Sequence, residues 1–198
     1  MGSLFSPVLF LMAMFPAILA IDIGIPGLQC QCPKPCEIDL HYYLHQFRAR
    51  TDPKSNEDFI VSGTNAAGFG TTIVHDWSLT TGPNATDTIV GHAQGFHMQA
   101  AQTSTIWYTT HNIIFQDRFA GSTLQVMGII DGAELTANGG EWSIIGGTGK
   151  FVKASGIVTV KAIKTEFVEW VRELNIKVSY APENSSSGYG YNGYDGCN

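Results

Sequence analysis

The segment Gly146-Gly147-Thr148-Gly149-Lys150 combines a glycine cluster with a lysine, and similar combinations bind phosphate groups in other proteins. A Walker A loop, however, needs G-x-x-x-x-G-K-[ST] with a helix directly after it. Here Phe151 follows the lysine, and the next residues lead into another strand. Because glycine tolerates positive φ, the segment predicts a tight corner between two strands and argues against a nucleotide site.

The cysteines are the next residues whose types and spacing point to chemistry. Cys30, Cys32 and Cys36 lie in CQCPKPC, and Cys197 lies next to the C-terminus. The C-x-C-x3-C spacing has no histidine nearby, so we predict no metal site. An even number of cysteines favours disulfides in an oxidising compartment. Four cysteines allow three pairings, and the residues alone do not select one of them.

The N-terminal residues predict export. Residues 4–20, LFSPVLFLMAMFPAILA, carry no charge and have the length of a secretory apolar region. We therefore predict a signal peptide over residues 1–20; an uncleaved anchor or a buried segment is the alternative. After export, Asn84 and Asn184, each in an N-x-[ST] sequon, become candidate glycosylation sites rather than chance sequons. No later segment is long and apolar enough to span a bilayer, so we expect no membrane partner.

Composition narrows the remaining possibilities. The chain has 198 residues, of which 14% are charged, and a formal net charge of −6. It has no basic stripe, so nucleic acid is not an expected partner. Its 22 glycines, together with many Thr, Val and Ile residues, favour short strands and tight turns over helices.

The hydrophobic pattern predicts a single all-β domain. No segment has the pattern of a long helix, and residues 50–58 and 181–198 are predicted to be a polar loop and a flexible Gly/Ser/Tyr tail. Regularly spaced strands with turn residues between them indicate an antiparallel barrel or sandwich. The eight candidate strands are residues 38–47, 70–80, 87–100, 104–115, 122–130, 141–145, 155–165 and 167–180.

Two motifs in this order resemble the plant dirigent protein family. VGHAQGFHMQ (90–99) is similar to the family's GRAQG-type strand, and WSIIGGTGKFVKASGIVT (142–159) is similar to its GGTGxFxxAxG turn. The resemblance extends from about Cys36 to Tyr180, which gives a dirigent domain at 37–180 after a Cys/Pro-rich segment at 21–36. QVMGIIDG and EWSIIGGTGKF are similar to the monocot-type members, here without a jacalin-like domain.

The resemblance implies an eight-stranded antiparallel β-barrel related to allene oxide cyclase and assembled as a homotrimer. It implies a glycoprotein secreted to the apoplast that binds phenylpropanoid radicals or quinone methides and steers their coupling. A separate oxidase, a laccase or peroxidase, would supply the radicals, and no metal or redox cofactor is expected. The family's disulfide would join Cys36 to Cys197, the only late cysteine.

Several residues depart from the pattern of the family. Gln46 and Ile130 stand at two positions where family members that act on quinone methides have Asp, and Asp131 lies one residue later. His97 and Gln99 stand at two tyrosine positions of the family. A carboxylic acid can protonate a quinone methide oxygen, whereas the amide of Gln46 cannot.

Two residues are candidates to replace the missing acids. His97 is the first, since imidazole titrates near the pH of the apoplast, and Asp131 is the second. The alternative is that His97 is a hydrogen-bonded residue of the barrel lining and that Asp131 belongs to a turn. The predicted substrate-binding residues are Gln46, Asp76, Gln99 and His97, with capping of a turn as the alternative for Asp76. Trp77, Trp107 and Trp142 are assigned to packing, with stacking on an aromatic substrate as the alternative.

The sequence therefore predicts a secreted dirigent protein that imparts stereoselectivity on phenoxy radical coupling in lignan- or lignin-type biosynthesis. Orientation alone would suffice for this role, since the radicals react unaided. The alternative function is that of an apoplastic binding or defence protein that holds an apolar ligand in the barrel. An acid/base cyclase that uses His97 or Asp131 is a third possibility.

Overall fold

The structure is a computed structural model that describes residues 34–48, 52–131, 140–182 and 197. The predicted signal peptide, Cys30, Cys32 and Asn184 lie outside these residues, as do the side chains of Ile130 and Asp131. Within the described ranges, no helix has the length and apolar character needed to cross a membrane.

Nine strands and a single 3₁₀ turn make up the regular structure of the described residues. The strands are β1 (Cys36–Phe47), β2 (Glu57–Val61), β3 (Thr72–Thr80), β4 (Ile89–Gln99), β5 (Ile106–Phe115), β6 (Thr123–Asp131), β7 (Gly140–Thr148), β8 (Ser155–Thr165) and β9 (Glu169–Tyr180).

The strands form one antiparallel sheet that closes on itself. The order is β1-β9-β8-β7-β6-β5-β4-β3-β2, and a further pairing between β1 and β3 closes it. That pairing covers three residue pairs, among them Tyr43 with Thr80 and His45 with Ser78. The closed barrel therefore consists of β1 and β3–β9, and the predicted eight-stranded antiparallel barrel is confirmed.

Strand β2 corrects the prediction of a polar loop over residues 50–58. Because β1 pairs only with the second half of β3, the first half has a free edge, and β2 occupies it with Glu57 opposite His75. The side chain of Asn56 holds β2 in place, since its Nδ2 donates to the carbonyl of His45 and its Oδ1 accepts from the amide of Phe47. A strand of five residues that begins with two carboxylates and shows no alternation of apolar and polar residues is hard to recognise from the sequence.

Aromatic side chains fill one end of the barrel. The rings of Phe115, Phe119, Phe151 and Tyr180 contact one another, with centroids 5.1–5.7 Å apart. The disulfide between Cys36 and Cys197, as implied by the resemblance, is present at the same end, with the two Cα atoms 5.3 Å apart. This apolar cluster leaves the opposite end of the barrel for polar side chains.

The glycine-rich segment forms the corner between β7 and β8. Gly149 has a φ of +62° and begins the 3₁₀ turn Gly149–Phe151. The amide of Lys150 donates to Ser122 Oγ at 3.0 Å, and Phe151 is fully buried in the aromatic cluster. The segment thus serves packing, and Phe151 anchors the corner to the core.

Replacing both Cys36 and Cys197 with serine should lower the free energy of unfolding by about 3 kcal/mol, because the disulfide restricts a long loop of the unfolded chain. Urea denaturation followed by tryptophan fluorescence measures this change. Wild-type protein treated with dithiothreitol should behave like the variant. Equal unfolding midpoints for variant and oxidised wild type would contradict the prediction.

Candidate functional site

Three histidines from adjacent strands meet inside the barrel, away from the aromatic cluster. His75 (β3), His97 (β4) and His111 (β5) are each 5% exposed or less. Gly95 lies between His75 and His111 in the register of the sheet. Since Gly95 has no side chain, the rings of His75 and His111 approach to a centroid distance of 5.5 Å.

The histidine rings contact each other and a tryptophan. His75 Nδ1 and His97 Nδ1 are 3.1 Å apart, within hydrogen-bond distance. His75 also stacks on Trp77 with ring centroids 3.6 Å apart. The Nε2 atoms of His75 and His111 are buried and have no hydrogen-bond partner. Buried polar atoms of this kind are unusual, and a bound ligand is one way to satisfy them.

Burial keeps these histidines neutral. Desolvation, helped by the positive charge of Arg172, lowers the pKa of His97 to about 3 and that of His111 to about 3. The pKa of His75 falls to about 2, mainly through desolvation and then through the other two histidines. His97 therefore carries no extra proton at mildly acidic pH. In this buried position His97 does not titrate near the pH of the apoplast, on which its prediction as an acid rested.

Glu57, from β2, is the acid that sequence reasoning missed. Its Oε1 accepts hydrogen bonds from Gln46 Nε2 at 2.5 Å and from Trp77 Nε1 at 2.8 Å, and it lies 3.9 Å from His97 Nε2. The carboxylate side chain is 3% exposed. Burial raises the pKa of Glu57, although its hydrogen bonds and two arginines oppose the rise. A carboxyl group with a raised pKa is suited to donate a proton.

Gln46 joins this carboxylate to a buried arginine. Its Oε1 accepts from Arg172 Nη1 at 2.5 Å, while its Nε2 donates to Glu57. Desolvation lowers the pKa of Arg172 to about 10, so the guanidinium remains charged. The amide of Gln46 thus directs its oxygen at the guanidinium of Arg172 and its NH₂ group at the carboxyl group of Glu57. An aspartate at this position would repel Glu57, which gives a physical reason for the amide.

The other two predicted substrate-binding residues, Gln99 and Asp76, differ in their positions. Gln99 is buried, but its Nε2 donates to the carbonyls of Ala101 and Ser104, so it holds the turn between β4 and β5. Asp76 lies on the outer face of β3, where it accepts from His92 Nδ1 at 2.7 Å. Of the predicted set, Gln46, His97 and Gln99 are buried in the interior, where Gln46 and His97 lie beside Glu57, and Asp76 lies outside.

Asp131 is the last residue of β6, and the description there is limited to the backbone. It pairs with Ile106, while Ile130 pairs with Trp107. Trp107 itself is half-buried, with its ring 5.2 Å from that of His97 in an edge-on contact. The register therefore places Ile130, rather than Asp131, opposite the tryptophan that borders the histidine cluster.

Trp77 and Trp142 are fully buried, as expected of packing residues, but Trp77 also donates a hydrogen bond to Glu57. His75 and His111 could have been found from the alternation of strands β3 and β5, which puts His75 on the same face as Trp77. No alternation of this kind pointed to Glu57.

Among the described residues, no group of three His, Cys, Asp or Glu side chains is arranged to hold a metal ion.

Comparisons with known proteins agree with the fold. Residues 37–179 match the profile of the family described as dirigent-like protein. The chain is 28% identical to dirigent protein 1 of Arabidopsis thaliana over 176 residues, 85% of this chain and 95% of the relative. It is 30% identical to pterocarpan synthase 1 of Glycyrrhiza echinata over 135 residues, 66% of this chain and 70% of the relative. The structure of the pterocarpan synthase dirigent protein GePTS1 matches with a TM-score of 0.68 at 28% identity, covering 75% of this chain and 92% of that chain.

A closed eight-stranded barrel with polar and aromatic groups at one end of its interior is the architecture of proteins that hold one small ligand. The profile match covers most of the chain, and the chain belongs to the dirigent family. The family and these neighbours support a dirigent-type role in stereoselective radical coupling or cyclisation.

The neutral histidines make stability depend on pH. The pKa of His111 is about 3 in the folded protein and 6.5 ordinarily. Below pH 6.5 the unfolded chain therefore binds a proton that the folded protein does not, and the free energy of unfolding decreases as the pH is lowered. One such group contributes at most about 1.4 kcal/mol per pH unit. His111→Gln should flatten the decline by up to that amount, as measured by urea denaturation between neutral and mildly acidic pH. An unchanged slope would show that His111 is protonated in the folded state.

Proposed function

We propose that the barrel binds phenoxy radicals from phenylpropanoid monomers and imposes one handedness on their coupling, in lignan- or lignin-type biosynthesis. A separate oxidase, a laccase or peroxidase, supplies the radicals. The observation that carries the proposal is the half-buried Trp107, which lies edge-on to His97 at the polar end of a dirigent-family barrel. An aromatic side chain in this position offers a stacking surface to a phenolic ring.

Orientation supplies the selectivity in this proposal. Two radicals combine without a catalyst, so the protein needs only to hold them with one pair of faces together. Buried hydrogen-bonding atoms fix the orientation of a ligand's oxygen atoms more strictly than apolar contacts do. The unpartnered Nε2 atom of His75 is such an atom.

Cyclisation of a phenolic quinone methide is the second candidate function. Two observations favour it: the buried acid Glu57, and the similarity to proteins named pterocarpan synthase. Side-chain coupling of propenyl phenoxy radicals itself produces quinone methides. An internal hydroxyl group then closes the ring, so the two candidates share a common chemical step.

We also propose that the protein is secreted to the apoplast and glycosylated at Asn84. Asn84 is exposed in the turn between β3 and β4, where its Nδ2 donates to Asp87 at 3.3 Å. The Cys36–Cys197 disulfide supports an oxidising compartment.

We propose a homotrimer that associates through the outer face of the barrel. Ile145 and Ile157, on neighbouring strands β7 and β8, are 55% and 40% exposed. Exposed apolar residues on adjacent strands support burial against another copy of the chain.

Coupling of coniferyl alcohol by a laccase in the presence of the protein, followed by chiral chromatography, tests the proposal. Wild type should give an excess of one enantiomer. Trp107→Ala should lower the ratio of enantiomers about fivefold, since an aromatic contact contributes about 1 kcal/mol.

Tyr108→Ala is the matched control, because Tyr108 follows Trp107 in β5 and alternation places it on the opposite face of the sheet. The coupling products formed with Tyr108→Ala should have the same ratio of enantiomers as those formed with wild type. Racemic products from wild type across a panel of phenols would refute the coupling role. A phenolic ligand that is bound and then released unchanged would favour a binding or defence protein.

A further inference from the structure

The contact between two buried histidines couples their protonation. His75 Nδ1 and His97 Nδ1 are 3.1 Å apart, so one of these nitrogens donates a hydrogen and the other accepts it. A neutral imidazole has a single N–H, and its Nε2 carries hydrogen only when its Nδ1 does not. One of the two Nε2 atoms is therefore protonated while the other is bare.

The two ends of this pair face different groups. His97 Nε2 lies 3.9 Å from Glu57 Oε1. His75 Nε2 is buried and has no hydrogen-bond partner. When Glu57 is protonated, a bare Nε2 on His97 suits it, and His75 then holds its hydrogen on Nε2. When Glu57 is ionised, a hydrogen on His97 Nε2 suits it, and His75 Nε2 becomes bare.

We propose that Glu57, His97 and His75 form a proton relay that carries a proton from the carboxyl group to the oxygen of a quinone methide bound at His75 Nε2. The inference rests on the proposed function, since it needs a phenolic intermediate inside the barrel. It assigns a role to each of the three side chains and leaves His111 outside the relay.

The relay moves three protons and returns to its starting state. The O–H bond of Glu57 breaks as an N–H bond forms at His97 Nε2. The Nδ1–H bond of His97 breaks as the Nδ1–H bond of His75 forms. The Nε2–H bond of His75 breaks as the quinone methide oxygen becomes a phenol. The ligand's own hydroxyl oxygen then gives an electron pair to the methide carbon, and its proton passes to the bare His75 Nε2. The transfers then run in reverse, so the Nδ1–H bond of His97 and the O–H bond of Glu57 form again. The net reaction is an isomerisation without an oxidant.

Surrounding charges favour a relay through neutral imidazoles. Arg172 from β9 and Arg48 at the end of β1 act on His97, and His111 from β5 faces both relay histidines. These groups disfavour an imidazolium, so each histidine must lose one proton as it gains another. Gln46 and Trp77 hold Glu57 Oε1, and Gln46 connects it to Arg172, which favours the carboxylate left behind. The gap of 3.9 Å must shorten for transfer, as is common in structures without substrate.

Nitrogen-15 NMR of protein labelled at histidine tests the relay without substrate, because it distinguishes bare from protonated ring nitrogens. His75 and His97 should be neutral at mildly acidic pH and hold opposite tautomers. Raising the pH until Glu57 ionises should switch both tautomers together. In Glu57→Gln this switch should be absent, while the His111 tautomer should not respond to pH in either protein.

Three results would overturn the relay: equal tautomers in His75 and His97, an imidazolium at either residue, or a switch that persists in Glu57→Gln. If instead the coupled tautomers are seen while wild type gives racemic products, the proposed function fails and the relay stands.

Stopped-flow absorbance of the quinone methide adds a kinetic readout. Glu57→Gln, His97→Asn and His75→Asn should each slow ring closure about 100-fold, and Glu57→Gln combined with His97→Asn should be no slower than either alone. His92→Asn, an imidazole replacement on the outer face beside Asp76, should close rings at the wild-type rate. Additive losses, or equal losses in His92→Asn, would show that no relay operates.

Discussion

The short pairing between β1 and β3 is the constraint on which the rest of the structure depends. It closes the barrel over three residue pairs and ends at His45, where the side chain of Asn56 binds the carbonyl of His45 and the amide of Phe47. The remaining edge of β3 has unpaired backbone groups, which β2 satisfies. Closure therefore creates a buried interior, and the incomplete closure brings Glu57 into it.

Burial dictates how the polar groups of this interior are arranged. Uncompensated charge is costly there, so His75, His97 and His111 are neutral. The guanidinium of Arg172 and the carboxylate of Glu57 are connected through the amide of Gln46. The division of the barrel follows from the same principle. The aromatic cluster and the disulfide occupy one end, and the polar side chains gather at the other. Any chemistry on a bound phenol belongs at the polar end.

Much of the architecture could be predicted from the sequence, because alternation and turn residues act over short distances. The strands around His75 and His97, and the glycine corner at Gly149, are local patterns of this kind. Strand β2 could not be predicted, since its partner is an edge that exists only after the barrel closes. Asp76, in contrast, could have been assigned from the sequence, since the alternation that puts His75 and Trp77 inside directs it outward to His92.

The sequence by itself determined the all-β class and the dirigent family motifs, since these depend on periodicity and on residues close in the chain. Periodicity left barrel and sandwich open, and the resemblance to the family implied the barrel; it also pointed to Gln46 and His97 as positions to inspect. Tertiary structure alone decided which groups share the interior. It placed Glu57 beside Gln46 and set His75 against His97. Burial, which exists only in the folded state, lowered the pKa of His97, so that its imidazole is neutral, and raised the pKa of Glu57.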